Sequence, residues 1–493
     1  MIRRYLSFVL HRAFTHGRCD IAEFPLVLST STRIHRNREV AVLKEAWTLA
    51  IEALSWMKMQ RLSERQALAK TVKQLNIHDP DALRLAQVLV FETARRQNFI
   101  DKFINKTLKP ETLEEHNLGV QSFLRLYVYQ TRIARNWSKT SIREAENIAK
   151  TGRSVLGWQT LQKVEPFLGS LLTRKPETVF ENTTDEERIA LTTFHPTWWV
   201  NYCIRLFGRP ATLAMFEADT EKSPTYVRLN TLKSDEEMIL KRLEEEGMQL
   251  DKVDQLEHTY RLVNTKVPLA KSSSFKEGLF YVQDKASCFA AEATNPQPGM
   301  TVLDVCAAPG AKTTYLAQLM QNRGVIYSVD YSKRRMRVWK AETQRMKADI
   351  AEPLIVDVRA SIALRAEADI VILDPPCTST GTFRKSPSAK WRLTRRSMEH
   401  MARIQSQMLN NSAEHVKLGG SLVYSTCSVT VEENEMLIER FLKWHLDFSL
   451  TEITPAIGSR GLRGLDKCRR LYPHVDDCNG FFIAKLKKQS SEV

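Results

Sequence analysis

The stretch T-V-L-D-V-C-A-A-P-G-A-K-T, residues 301–313, decides the fold. A short apolar run ends in an acid, a string of small residues follows, and the helical segment KTTYLAQLMQN begins at once. Small residues let the backbone approach a ligand closely, and the first turn of the helix points its N–H groups at that ligand. Four more short apolar runs lie downstream: GVIYSVD (324–330), PLIVD (353–357), DIVILD (369–374) and GSLVYST (420–426). Between them lie SKRRMRVWKAETQRM and the stretch from Thr394 to Val416, both with helical spacing. Strands alternating with helices predict a parallel, doubly wound sheet covered on both faces. The fold class is α/β and Rossmann-like over 280–488, with ligands expected at the carboxyl ends of the strands.

The loop after the first strand reads Cys306, Ala307, Ala308, Pro309, Gly310, Ala311, Lys312. It is not G-x-G-x-x-G, so a dinucleotide cofactor, and with it a dehydrogenase, is poorly supported. S-adenosylmethionine carries no pyrophosphate and does not need that fingerprint. Asp330 ends the second strand, where an acid accepts hydrogen bonds from ribose hydroxyls. Asp357 ends the third, in reach of an adenine. Each acid alone has a bland reading as a strand-end cap; acids at successive strand ends are harder to dismiss.

Two cysteines close neighbouring strands. DIVILD runs into D-P-P-C-T-S-T-G, Asp374 to Gly381, and GSLVYST runs into Cys427. A lone cysteine is more often a small buried hydrophobe than a catalyst. Two at adjacent strand ends, beside an acid and a cofactor loop, point to thiol chemistry. Carbon 5 of cytosine is a poor nucleophile until a thiolate adds to carbon 6. That chemistry gives Cys427 the attack, Lys312 the stabilisation of its thiolate, Asp374 a proton shared with ring nitrogen 3, and Cys377 the assistance of release. The target base must be unpaired or leave its stack.

Upstream the pattern changes. Leu43, Trp47, Ile51, Leu54 and Met57 make one apolar stripe, and Asp79-Pro80 reads as a helix cap followed by proline at the first helical position. Residues 39–175 therefore read as an all-helical domain. A polar linker is expected at 173–189 and a small α/β subdomain at 190–279, while residues 1–38 read as a basic extension. The Arg-rich start resembles a transit peptide, an RNA-binding arm or a plain extension, with targeting the minority reading. Lys and Arg number 72 against 57 Asp and Glu, a net charge of +15 that favours nucleic acid as partner. The basic runs at 331–347 and 383–403 are read equally well as solvated helix faces and as RNA contacts. The 8 cysteines include no CxxC pair, which fits a reducing, cytoplasmic location and argues against a zinc ribbon. Cys468, His474 and Cys478 match no zinc spacing, so no metal is expected. No apolar run is long enough for a bilayer, so no membrane is expected either. A monomer is expected.

Several stretches resemble the Sun-type (Fmu) family of RNA cytosine-5 methyltransferases: VQDKAS (282–287), LDVCAAPGAKT (303–313), LDPPCTSTGTFRKSP (373–387), YSTCSVTVEENE (424–435) and PHVDDCNGFF (473–482). The resemblance covers Tyr226 to Lys488. It implies that Cys427 is the nucleophile, that Cys377 aids product release, and that Arg228 and Asn230 belong to the small subdomain. The helical part is similar to the NusB-like, RNA-binding domain fused to bacterial 16S ribosomal RNA methyltransferases. That makes ribosomal RNA the expected substrate, ahead of transfer RNA. A non-catalytic ribosome-assembly factor that keeps the fold is the rival reading. Ala311 stands where the family usually has a second glycine, and is tolerable there only at negative φ. Val475 and Asp476 follow His474 where a second histidine is common.

Overall fold

The computed structural model describes residues 33–135, 140–360 and 367–489. Most of the stretch read as a basic extension lies outside these residues, although the first helix, Arg33–Gln60, already begins within it. Two compact units emerge. One takes the chain up to Lys222 together with Phe383–Arg392; the other takes Ser223–Thr382 and Leu393 onward.

The first unit is helical, and the reason is the expected stripe. Trp47, Ile51 and Leu54 are buried, with Leu43 and Met57 packed beside them. Asp79 Oδ1 accepts from the amides of Asp81 and Ala82, both at 2.9 Å, and starts the Pro80–Arg95 helix. The segment read as a polar linker is not free. Val179 and Phe180 are buried in the helical core, and Thr184 forms a capping box with Glu187 that starts another helix, Asp185–Thr192. Two further helices, Thr197–Phe207 and Arg209–Ala218, also count with this unit, although their sequence was grouped with the small α/β subdomain. His195 stacks on Phe216 with centroids 3.9 Å apart, which joins these helices to one aromatic cluster. The basic run 383–403 divides. Arg384 and Lys390 are buried with the helical unit, where Trp391 Nε1 donates to Ala94 O at 2.6 Å, while Arg395, Arg396 and Arg403 stay exposed.

The second unit contains two sheets. Strands β1 (Thr225–Leu229), β2 (Met248–Lys252), β3 (Thr259–Thr265) and β4 (Phe280–Val282) form an antiparallel sheet in the order β2-β3-β1-β4. Arg228, on β1, is fully buried. It donates to Gln283 Oε1 (3.0 Å), Gln318 Oε1 (2.5 Å) and Thr314 Oγ1 (2.9 Å), so this sheet is bolted to the Ala311–Leu319 helix. Asn230 adds bonds to the carbonyls of Gly278 (2.8 Å) and Met346 (2.9 Å).

Among the described residues the larger sheet has nine strands. Strands β5 (Thr301–Val305), β6 (Val325–Asp330), β7 (Ala351–Ile355), β8 (Ala368–Leu373) and β9 (Val416–Thr426) run parallel. The five expected strands pair in parallel, and the sheet continues with further strands that the sequence reading did not name. Beyond β9 lie β10 (Phe448–Leu450), β11 (Ser459–Arg460), β12 (Arg469–Leu471) and β13 (Phe481–Lys488), all paired antiparallel. The order is β11-β12-β13-β9-β8-β5-β6-β7, with β10 on β13. Strand β13 alternates faces as a strand must: Phe481 and Ile483 enter one core, Phe482, Ala484 and Leu486 the other. Among the described residues no helix is long and apolar enough to cross a membrane.

Candidate active site

The site lies at the carboxyl ends of β5, β6, β8 and β9. The loop after β5 turns at Cys306 (φ +66°) and Gly310 (φ +112°). A Cβ on Gly310 would sit 3.3 Å from the Trp339 ring, so both backbone sign and space call for glycine there. Ala311 is the first residue of the Ala311–Leu319 helix, at negative φ, where a methyl group is at home.

Asp304 is buried one residue before the strand ends. It accepts from Thr313 Oγ1 at 2.6 Å, and Trp339 Nε1 donates to that hydroxyl at 3.0 Å. Burial pushes its carboxyl up to about 7; Thr313 and Lys312 pull it down, while Asp374 and Asp330 reinforce the rise. Lys312 forms a close ion pair with Asp374. Burial disfavours its charge, but Asp374, with Asp304 and Cys427, outweighs that and holds the ammonium above its ordinary value.

The two ribose- and adenine-directed acids behave differently. Asp330 is 2% exposed and its Oδ1 accepts from the Ser332 amide at 3.0 Å. Its Oδ2 is buried without a hydrogen bond, although the Arg335 guanidinium lies 3.0 Å away. Asp357 lies two residues beyond β7 and turns to its own loop. Arg359 donates to both its oxygens, at 2.9 and 3.1 Å from Nε, and both side chains are about half exposed. Those bonds hold the Asp357 carboxyl below its usual range. Asp304, Asp330 and Asp374 share one electrostatic neighbourhood with Lys312; Asp357 is not brought into it.

The thiols meet. Cys377 Sγ and Cys427 Sγ are 3.2 Å apart, carried by the loops after the adjacent parallel strands β8 and β9. Ser379 Oγ lies 3.5 Å from the Cys427 sulfur and 3.9 Å from that of Cys377. The hydrogen bond from Cys377 lowers the Cys427 thiol below its ordinary value; Ser379 assists, while burial, Asp374 and Glu433 oppose. The same contact and burial hold Cys377 well above its ordinary value. Lys312, expected to stabilise the thiolate, is ion-paired with Asp374 and also feels the charge of Cys427. Cys306 is a half-buried thiol whose ionisation is disfavoured by its low-polarity surroundings.

Glu433 holds the two thiol loops together and was not singled out from sequence. It is fully buried and accepts from the Thr378 amide (2.9 Å), the Thr378 hydroxyl, Ser428 Oγ (2.7 Å), Thr430 Oγ1 (2.9 Å) and Gln405 Nε2 (2.9 Å). A charged acceptor with so many donors is what stabilises a buried carboxylate. The signal available in sequence was the run of hydroxyls after each cysteine, Thr378-Ser379-Thr380 and Ser428 with Thr430. The loops also meet backbone to backbone. Gly381 N donates to Cys427 O at 3.0 Å and Gly480 N to Gly381 O at 2.8 Å. A Cβ on Gly381 would stand 2.0 Å from Gly480 O, so the glycine of PHVDDCNGFF serves close approach. Cys468 and Cys478, weighed as metal ligands, belong to different hydrophobic cores. Among the described residues no group of three or more His, Cys, Asp or Glu is arranged around a common ion.

Three family models match successive parts of the chain. A NusB family model covers residues 44–154, a ferredoxin-like domain of RsmF/B-like methyltransferases covers 195–268, and 16S rRNA methyltransferase RsmB/F covers 291–487. Ribosomal RNA small subunit methyltransferase B of Cronobacter sakazakii is 28% identical, across 90% of this chain and 99% of its own length. The 25S rRNA (cytosine-C(5))-methyltransferase nop2 of Schizosaccharomyces pombe is 31% identical, across 58% of this chain and 50% of its own. Among solved structures, PH0851 is 29% identical with a TM-score of 0.75, covering 90% of this chain and 99% of its own.

Proposed function

The chain belongs to the RsmB/F family of 16S rRNA methyltransferases, and from that premise we propose that it methylates carbon 5 of a cytosine in ribosomal RNA through a transient bond from Cys427. The observation that carries this reading is the pair of sulfurs 3.2 Å apart on neighbouring strand ends, with Asp374 beside them.

S-adenosylmethionine is the methyl donor we assign. The buried Asp330 Oδ2, which takes part in no hydrogen bond and faces the Arg335 guanidinium at 3.0 Å, is an acceptor available to a hydroxyl. When bound, the donor supplies an electrophilic methyl group. The chain's own residues do the rest. Cys427, ionised, adds to carbon 6 of the base. Asp374, held by Lys312, shares a proton with ring nitrogen 3 and offsets the charge that the ring gains. Once carbon 5 carries the methyl group, its proton leaves to a base, the bond from Cys427 to carbon 6 breaks, and the sulfur regains its electron pair. Cys377 stays protonated at neutral pH and assists that departure from 3.2 Å.

Ribosomal RNA is preferred to transfer RNA because the similarity to methyltransferase B runs through 90% of this chain, helical region included. We assign residues 39–175 the role of holding RNA and 280–488 the chemistry, in the cytoplasm, where thiols stay reduced. Transfer of labelled methyl groups to ribosomal RNA, with the modified base mapped by bisulfite sequencing, tests the reading. Cys427→Ala should abolish transfer and keep donor binding. Cys377→Ala should accumulate a protein–RNA adduct as a slow band on a denaturing gel. A Cys427→Ala protein that still methylates would end the proposal; RNA binding without any transfer would favour an assembly factor.

A further inference from the structure

Ser379 is a serine in a conformation that suits glycine. Its φ is +56°, in the left-handed region, which is unfavourable for a residue that carries a side chain. Its backbone does not require serine: Ser379 O accepts from Thr382 N at 3.0 Å and from Thr382 Oγ1 at 2.9 Å, bonds that glycine would make as well. What the side chain adds is one hydroxyl, and the described contacts of that hydroxyl are the two sulfurs.

The neighbouring groups are otherwise occupied. Thr378 and Thr380 direct their hydroxyls to Glu433 and Ser428. Lys312, a cation that interacts with Cys427, is paired with Asp374. The charged and titratable groups that face Cys427 are Cys377, Asp374, Glu433 and Lys312, and the two carboxylates oppose its ionisation. A hydroxyl both accepts and donates. It takes a hydrogen bond from the neutral thiol and, after rotation, gives one to the ionised sulfur, with no net change in its own protons.

We propose that Ser379 is a further catalytic residue, whose hydroxyl stabilises the Cys427 thiolate and so sets how much of the attacking sulfur is ready when the base arrives. This rests on the reading of Cys427 as nucleophile.

The test is the pH dependence of Cys427 alkylation by iodoacetamide in the full-length protein, followed by peptide mass spectrometry, for the parent, Ser379→Gly and Ser379→Ala. Loss of a hydrogen bond to a charged group should slow alkylation at neutral pH about tenfold in both variants. Both profiles should shift to higher pH and rejoin the parent at the alkaline end. Methyl transfer should fall by a similar factor in kcat, with donor affinity unchanged. Ser379→Gly relieves the backbone, so its melting temperature should not fall. A Ser379→Gly protein with the parent profile overturns the proposal. So does a defect confined to Ser379→Ala, since that would make the position a matter of backbone. Continued turnover by Cys427→Ala would remove the reading beneath it, a result distinct from any alkylation profile.

Discussion

The two sides of the sheet's carboxyl edge are built differently. After β8 and β9, the thiol loops are cross-tied by a buried carboxylate with five donors and by glycine backbones in direct contact. After β6 and β7, Asp330 keeps a buried oxygen without a hydrogen bond and Asp357 faces its own arginine. The contrast separates two tasks. In the proposed mechanism the sulfur forms and breaks a bond and has to be aimed before the substrate arrives, which fits surroundings satisfied from within. A surface that must hold a ligand keeps an acceptor in reserve.

That contrast can be broken. The largest effect is expected from Glu433→Ala. Each buried donor left unmet costs about 1–3 kcal/mol, so the loss from several should reach roughly 3 kcal/mol or more in a denaturant titration. Glu433→Gln keeps an acceptor and should lose less. If Glu433→Ala unfolds like the parent, the thiol side is not held as described.

Asp304→Asn comes next, with the opposite sign. The folded state raises this carboxyl to about 7, so Asp304 binds its proton more tightly folded than unfolded. Stability from this group is present at acid pH and lost as pH climbs toward and through 7. The asparagine variant escapes that loss. Its melting advantage should be absent near pH 4 and reach its full size, at most about 4 kcal/mol, above pH 8. An advantage that does not vary with pH would contradict the assignment.

Asp330→Ala should weaken donor binding by calorimetry by about 1.5–3 kcal/mol, the worth of a hydrogen bond to a charged group. Asp357→Ala should sharpen the contrast by doing little, within about 0.5 kcal/mol, because its exposed bond to Arg359 contributes little. Equal effects from the two acids would mean that the acid side is not divided as the coordinates divide it.

The sequence made the strands legible because buried parallel strands are short apolar runs, and TVLDV and DIVILD fall on β5 and β8 almost residue for residue. The thiol pair was legible for the same reason: a parallel pairing of β8 with β9 leaves both strand ends, and therefore both cysteines, at one edge. Strand β13 was hidden because its lysines dilute the apolar pattern. Glu433 was hidden because a charged run such as VEENE reads as a solvated face until the fold buries it. Asp357 reads as a strand-end acid, yet the direction of its side chain is set by Arg359 two residues on, which spacing does not encode. Arg384 and Lys390 sit in a run with the appearance of a polyanion-binding surface and are buried with helices far away in sequence.

The backbone contact between Gly381 and Gly480 has a temporal consequence. The strand bearing Cys427 gains its outer neighbour only when β13 folds back against it. A growing polypeptide therefore carries an unfinished, sticky sheet border until residues near 480 have been synthesised. Deletions or slow codons late in the reading frame should consequently act as folding defects first, with aggregation preceding any measurable change in how the catalyst turns over.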